Sequence, residues 1–471
     1  MLPASHFQGS CRNMNSARQD SIRWSRLLAS ALLGIVCTVS SWSTVAQPLP
    51  LRTDGKPVLS IHGSNTIGAQ LSPLMVEGFL KTQGFETINS RTGSHENERI
   101  IIGRRANGDQ VRIDMAAHGS STGFADLIHG DTDIAAASRP IKDSEALELK
   151  RLGNARDAGS EHVIGIDGIA IILNAANPLT TLSTDELARL FSGDVKNWKD
   201  IGGSLGPVHL YARDDQSGTF DTFKELVMSS HGKSLSPTAT RFESNDELSD
   251  AISQDPYGIG FVGLAAVGKA KAVSISDGSA LALPPTVTTV ATEDYPLSRR
   301  LFLYNKPDEK NPWVNAFIRY AQSSEGQRWV SKSGFVAQEV LAVQPVVPAD
   351  APAFYRQLAD HAQRLSVNFR FAEGSATLDN KANLDIERLM TYLRENDKLD
   401  KKVALIGFSD TKEDLKRAEL LSKLRAMAVR RELNKGGVMF HDIVGLGDAL
   451  PVAANSDEGR MKNRRVEVWV Y

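Results

Sequence analysis

The sequence is short of cysteine. Its two, Cys11 and Cys37, both precede residue 47 of a 471-residue chain. A chain cleaved after Ala46 therefore has no disulfide and no thiol chemistry. The sequence also lacks an excess of either charge: 54 Lys+Arg stand against 56 Asp+Glu, a formal net of −2. No global field then favours nucleic acid or an acidic membrane surface, and basic doublets such as Arg464-Arg465 are local. No His/Cys cluster has metal-ligand spacing and no nucleophile–base pair stands out. Metal, cofactor and catalytic residues are accordingly all assigned as none. The N-terminal apolar run, Leu27–Val39, falls short of the about 20 residues that span a bilayer comfortably. It follows Arg18, Arg23 and Arg26 and leads through small residues to Ala46. This layout predicts a secretory signal peptide over residues 1–46, starting at Met1 or Met14, with an uncleaved anchor as the competing reading.

What is present is the composition of ordinary globular protein, 41% apolar and 23% charged, over a length that suits two or three domains. The densest signal is Tyr211–Phe223, YARDDQSGTFDTF. Arg213 brings a permanent fork of donors that suits a tetrahedral oxyanion. Ser217 and Thr219 bring hydroxyls, and Gly218 lets backbone N–H groups come close to a ligand. Phe220, Phe223, Leu226 and Val227 recur at helical spacing, so Ser-Gly-Thr opens a helix whose free N–H groups and dipole would face an anion. Asp215 is placed to hold the Arg213 guanidinium and to accept a proton from a protonated ligand. Alone, the stretch is equally a capped helix beside an exposed Arg.

Two further turns share the layout of strand, Gly/Ser/Thr turn and helix. They are His62-Gly63-Ser64-Asn65-Thr66-Ile67-Gly68 after Leu59-Ser60-Ile61, and His118-Gly119-Ser120-Ser121-Thr122-Gly123. Leu71, Leu74, Met75 and Phe79 follow the first; Phe124, Leu127 and Ile128 follow the second. Asp133–Pro140 (DIAAASRP) suits a buried strand with Ser138-Arg139 at its carboxyl end, where ligands bind in open α/β sheets. Val163–Leu173 reads as a strand buried on both faces. A helix starts near Ser183, Phe191 and Trp198 read as core, and Gly258–Val262 reads as a strand returning to the first lobe.

Taken in order, GSNTIG, HGSSTG, DIAAASRP, NPLTTLSTDELARLFSGDVKNW, RDDQSGT and GIGFVGL resemble the periplasmic phosphate-binding proteins of ABC transporters. The resemblance covers nearly all of residues 55–340 and implies a two-lobed α/β periplasmic-binding-protein fold that closes over its ligand. It also implies phosphate contacts from Thr66, the backbone of Ile67, Ser120, Arg139, Arg213, Ser217, Gly218 and Thr219. Members of the family are receptors, not enzymes. Arg139 stands where the best-known phosphate receptors carry an Asp that accepts a proton from phosphate. A cation cannot accept that proton, which leaves the choice of phosphate over sulfate or arsenate to Asp215 or Asp214.

Pro345, Pro348 and Pro352 mark residues 341–358 as a Pro-rich, semi-stiff linker. Beyond it the pattern is strand (Leu365–Phe371), helix (Ile386, Leu389, Met390, Leu393), strand (Val403–Phe408), helix (Leu420, Leu421, Leu424, Ala428, Leu433) and strand (Val466, Val468, Val470). That predicts a small α+β sandwich over residues 359–471, folding independently of the first part. Gly374-Ser375-Ala376, Gly407-Phe408-Ser409-Asp410, Leu421–Ala426, Gly445-Leu446-Gly447 and Gly459–Val468 resemble the OmpA-like peptidoglycan-binding domain. The resemblance implies that Asp410 takes the ammonium, and Arg425 the carboxylate, of the peptide's diaminopimelate. Asn463, Arg464 and Arg465 are read as supports of the fold and wall surface. Glu413 and Ala418 occupy places where the family usually has Gly and Asn. The expectation is a periplasmic oxyanion receptor held at the cell wall near the outer membrane, with an ABC transporter permease or outer-membrane pore as further partner and no nucleic acid. Its rival is a structural wall-binding protein whose receptor part binds another ligand or a protein.

Overall fold

The structure, a computed structural model, describes residues 48–95, 97–215, 217–345, 347–410, 414–454 and 457–471, without the side chains of 457 and 458. The signal-peptide reading and Glu413 lie outside the described residues. Pro48–Tyr471 forms one compact unit.

The first part is organised by the strand Glu161–Leu173, buried at every residue after the first. Its Val/Ile/Ala/Gly composition permits burial on both faces. Its first half runs antiparallel to Ser298–Asn305, from His162 opposite Leu303 to Gly168 opposite Ser298. Its second half pairs with Gly258–Gly263, from Ile169 opposite Gly263 to Leu173 opposite Ile259. One strand thus belongs to both lobes of an 11-stranded sheet. The first lobe continues through Ile134–Ala137 and Leu59–Gly63 to the hairpin strands beyond, and the second through His209–Arg213 and Thr240–Phe242.

Helices close each lobe with aromatic cores. Phe79 of the helix Leu71–Thr82 meets Trp313 and Phe317 at 6.0 and 5.5 Å. In the second lobe Phe223 stacks on Phe261 at 4.1 Å. Trp198 and Phe191 are buried in that core as expected, and the Trp198 indole donates to Tyr257 O. The helix Thr184–Phe191 opens on Ser183, which accepts from Glu186 N–H in a capping box.

Gly258–Gly263 lies inside the second lobe and does not return to the first. The returning strand is Ser298–Asn305, between Ile134–Ala137 and Glu161–Leu173. Two adjacent arginines, Arg299 and Arg300, break its apolar pattern and conceal it in the sequence.

The C-terminal part is a five-stranded sheet in the order Ala342–Val343, Gln363–Arg370, Arg465–Val470, Val403–Gly407 and Phe440–Gly445. The last of these was not legible, since its residues are only partly buried at the edge. The expected spacer over 341–358 is not an extended linker. Ala342–Val343 pairs with Arg364 and Leu365, and Tyr355 of the helix Ala353–His361 meets Trp469 at 5.2 Å. The Val/Ala content that marked a boundary supplies apolar surface to bury. The helix Leu415–Lys435 turns Ala418, Arg425, Ala426, Val429 and Leu433 inward, whereas Leu420 and Leu424 are 59% and 48% exposed. Arg425 claims an inward position that an apolar reading would have given to a leucine.

Candidate functional site

Elements from both lobes converge at the carboxyl ends of the central strands. Gly119 N–H donates to Gly63 O at 2.8 Å, and Ser64 N–H to Ala136 O at 2.8 Å. The turns at 63–68 and 118–123 and the end of the strand Ile134–Ala137 are therefore bonded to one another. Gly63 is required there: its φ is +137°, and a Cβ would lie 2.1 Å from Ala136 O.

The helix Asn65–Gly68 makes its first internal bond from Gly68 N–H, and Ser64 gives it no side-chain cap. The N–H groups of Asn65, Thr66 and Ile67 precede that bond. The helix Ser120–His129 starts from Gly119, which has no side chain to cap with. These helix starts keep the first-turn donors that an anion accepts from. Ser217 instead caps the helix Gly218–Phe223, accepting from Phe220 N–H. As the oxygen accepts, its own O–H stays able to donate outward.

The lobes meet at this point. Thr66 Oγ1 donates to Gly218 O at 3.2 Å across the cleft. A Cβ on Gly218 would lie 2.2 Å from Thr66 Cα, so only glycine permits this approach. Thr66, Ile67 and Gly218 are thus brought together, with Thr219 next in the helix. Ser120 joins through Ser138, whose N–H donates to Ser120 Oγ at 3.1 Å.

The two predicted arginines turn to their own lobes. Arg139 is paired through both guanidinium ends with Glu145 and donates to Ser121 Oγ at 2.9 Å. Burial pushes the Glu145 carboxyl up, but the bonds from Arg139 and Lys142 outweigh it and hold it below its ordinary value. Arg213 donates to Phe242 O and Glu243 O. Burial lowers its pKa, with Asp214 opposing. Asp215 does not hold Arg213: its side chain is 83% exposed and pairs with Arg241 at 2.6 Å.

The sequence reading missed Arg299, buried where the lobes touch. Its Nη2 donates to Thr66 Oγ1 at 2.8 Å and to Gly218 O at 3.2 Å. Its other nitrogens reach Glu225 at 2.8 Å and Asp167 at 3.4 Å. Thr222 Oγ1 also donates to Asp167 at 2.7 Å. The signal was available as a charged pair inside an otherwise apolar strand.

In the C-terminal part, Asp410 accepts from Arg464 at 3.0 Å and lies 3.8 Å from Arg460. Burial raises the Asp410 pKa, but Arg464 outweighs it and the carboxyl stays below its usual range. Arg425 is 1% exposed and donates to Ser375 O and Ser409 Oγ, while its Nη2 is buried without a hydrogen-bond partner among the described residues. Burial pushes its pKa down to about 10, against the pull of Asp410. Ala418 is buried at 3% and brings no side-chain donor to this site. Among the described residues no group of His, Cys, Asp and Glu is arranged to hold a metal, and no helix is long and apolar enough to cross a membrane.

Residues 102–325 match the PBP superfamily domain, and 370–465 match the OmpA family. The phosphate-binding protein PstS of Staphylococcus epidermidis is 31% identical over 236 residues, covering 48% of this chain and 70% of that protein. The chain belongs to the PstS family of the PBP superfamily. SphX of Synechococcus elongatus is 30% identical over 229 residues, covering 46% of this chain and 66% of that protein. PstS of Borreliella burgdorferi is 25% identical over 288 residues, or 60% of this chain and 91% of that protein. A possible phosphate binding protein from Planctomyces limnophilus matches in structure with TM-score 0.48 and 28% identity, over 59% of this chain and 92% of that one. To this PstS-type part the chain adds a C-terminal OmpA-family domain. The convergence of turns around Thr66 and Gly218 belongs to the first part, and the Asp410–Arg425 pair to the second.

Proposed function

We propose that this chain is a cell-envelope receptor for phosphate or a closely related oxyanion, held non-covalently at peptidoglycan by its OmpA-family domain. The observation that carries the first half is the convergence of helix starts at Asn65, Ser120 and Gly218, the first two without a side-chain cap on their first-turn donors, together with the hydroxyls of Ser120 and Ser217. Such a site gives a tetrahedral anion many short donors and excludes water on closure. Thr219 completes the proposed shell, as do the Arg139 and Arg213 guanidinium groups once a ligand competes with their present acceptors. The relatives named above as phosphate-binding proteins support phosphate as the first choice. The chemistry is binding without turnover: serines and threonines donate hydrogen bonds and do not attack.

The second half rests on Arg425. A buried guanidinium whose Nη2 has no hydrogen-bond partner among the described residues, beside Asp410, is suited to the carboxylate and ammonium of a diaminopimelate head. The receptor then holds its anion near the wall, from where it serves uptake through a permease or a pore. Calorimetric titration with phosphate, sulfate and arsenate tests the first half; sedimentation with purified diaminopimelate-type peptidoglycan tests the second. Retention on peptidoglycan without anion binding would favour a wall-binding scaffold instead.

A further inference from the structure

The C-terminal domain is docked on the receptor part by charged groups, of which Asp294, Arg364 and Arg370 are buried. Asp294, which precedes the strand Ser298–Asn305, is 2% exposed and accepts from Arg364 at 2.6 Å and Arg370 at 2.8 Å. Arg300 reaches Asp379 at 2.7 Å, and Asn380 donates to Glu161 at 3.1 Å. Arg299 and Arg300 are neighbours in a strand, so their side chains take opposite faces. One enters the lobe junction at Thr66 and Gly218, and the next enters the C-terminal domain.

The same domain also grips the second lobe. Ala454 N–H donates to Asp277 Oδ2 at 3.0 Å, and Asp277 Oδ1 accepts from Thr184 at the start of a second-lobe helix. Lys462 donates to Tyr295 O at 3.1 Å and Pro296 O at 3.0 Å, just ahead of the strand Ser298–Asn305. Anchors at Glu161 and Arg300 on one side, and at Asp277 on the other, span the two lobes. A rotation that opens the cleft must break one set or carry the domain with it.

The segment that reaches Asp277, Tyr295 and Pro296 also reaches the candidate wall site. Val452 and Ala453 N–H groups are held by Asn463 Oδ1, which ties residues 452–454 to the helix Asp457–Asn463. Arg464, two residues past Lys462, holds Asp410.

We infer that the C-terminal domain is a clasp that favours closed lobes and couples wall-peptide binding at Asp410 to anion binding at the cleft. This rests on the function proposed above. An ammonium arriving at Asp410 competes with Arg464 for the carboxylate. That loosens Lys462 and, through Asn463, residues 452–454, weakens the grip of Lys462 and Ala454, and lets the lobes open. Coupling of this kind is reciprocal and typically amounts to about 5–150-fold in affinity.

The test is calorimetric titration of inorganic phosphate into the full chain, with and without a saturating diaminopimelate-containing muropeptide. The muropeptide should weaken phosphate binding at least about fivefold. Lys462→Met and Asp277→Ala should each weaken it without peptide and abolish most of the peptide's further effect. Equal phosphate affinity with and without bound muropeptide overturns the coupling. If the muropeptide does not bind, the tether reading fails, and the clasp is judged on the two variants: unchanged phosphate affinity in both overturns it. If phosphate does not bind, the receptor reading fails. The clasp then stands or falls on lobe separation by small-angle scattering, which should increase in both variants and overturns it if unchanged.

Discussion

At the residue scale, Gly218 and Arg213 make different demands. Gly218 contributes shape: a methyl group there would meet Thr66 Cα at 2.2 Å. Gly218→Ala should therefore block closure, cost most of the phosphate affinity and lower the melting temperature, because opening the lobes gives up the hydrogen bonds of Gly218 O with Thr66 and Arg299. Titration and thermal melting of the same sample check this. A variant that binds as the parent does would show that the lobes do not close through this contact. Arg213 contributes charge. A hydrogen bond to a charged group contributes about 1.5–3 kcal/mol, and a bidentate contact has two of them. Arg213→Ala should then weaken phosphate binding by roughly 100-fold or more, read by calorimetry. Unchanged affinity would leave Arg213 with its present acceptors, Phe242 O and Glu243 O.

At the element scale, the helix Leu415–Lys435 separates what the sequence could and could not show. Leu433 is fully buried, and Leu433→Ala should cost about 2–5 kcal/mol in denaturant unfolding. Leu424 is 48% exposed, so Leu424→Ser should stay within about 0.5 kcal/mol. A cost at Leu424 as large as that at Leu433 would restore the leucine-lined face that the pattern suggested. The place of this helix in the chain was legible from the periodicity of Leu420, Leu421, Leu424, Ala428 and Leu433. Its rotation was not, because Arg425 and Ser422 face inward to serve neighbours that are remote in sequence. The same cause hid Ser298–Asn305, whose two arginines answer to different partners. The turns at Gly63, Gly119 and Gly218 were legible because short-range chemistry fixes them: glycine for close approach, hydroxyls at helix starts. The outward turn of Asp215 and the pairing of Arg139 with Glu145 depend on contacts that no local pattern carries.

At the scale of the whole molecule, the two parts meet through buried ion pairs and not through a free spacer. The Asp294 pKa illustrates the consequence. Burial alone would raise it above its ordinary 3.8, but Arg364 and Arg370 outweigh burial and hold it lower. The unfolded chain therefore takes up the proton first as pH falls. The stabilisation from this group is complete above about pH 4–5 and is lost as pH drops through the ordinary carboxylate value toward the lower folded one. Melting should show one cooperative transition at pH 7, with the C-terminal domain separating or melting earlier only below about pH 4. Two well-separated transitions at pH 7 in calorimetric scans would contradict a docked arrangement.

The receptor assignment is tested most directly by titrating phosphate into the chain at pH 6 and pH 8, with sulfate as competitor. Asp215 faces outward, Asp214 is turned to Arg213 at 3.5 Å, and the family resemblance puts Arg139 at the place of the proton-accepting Asp, so the proposed site should prefer the dianion. The account predicts one phosphate per chain, bound more tightly at pH 8 than at pH 6, with sulfate competing measurably. No binding heat with phosphate, sulfate or arsenate at either pH would contradict it.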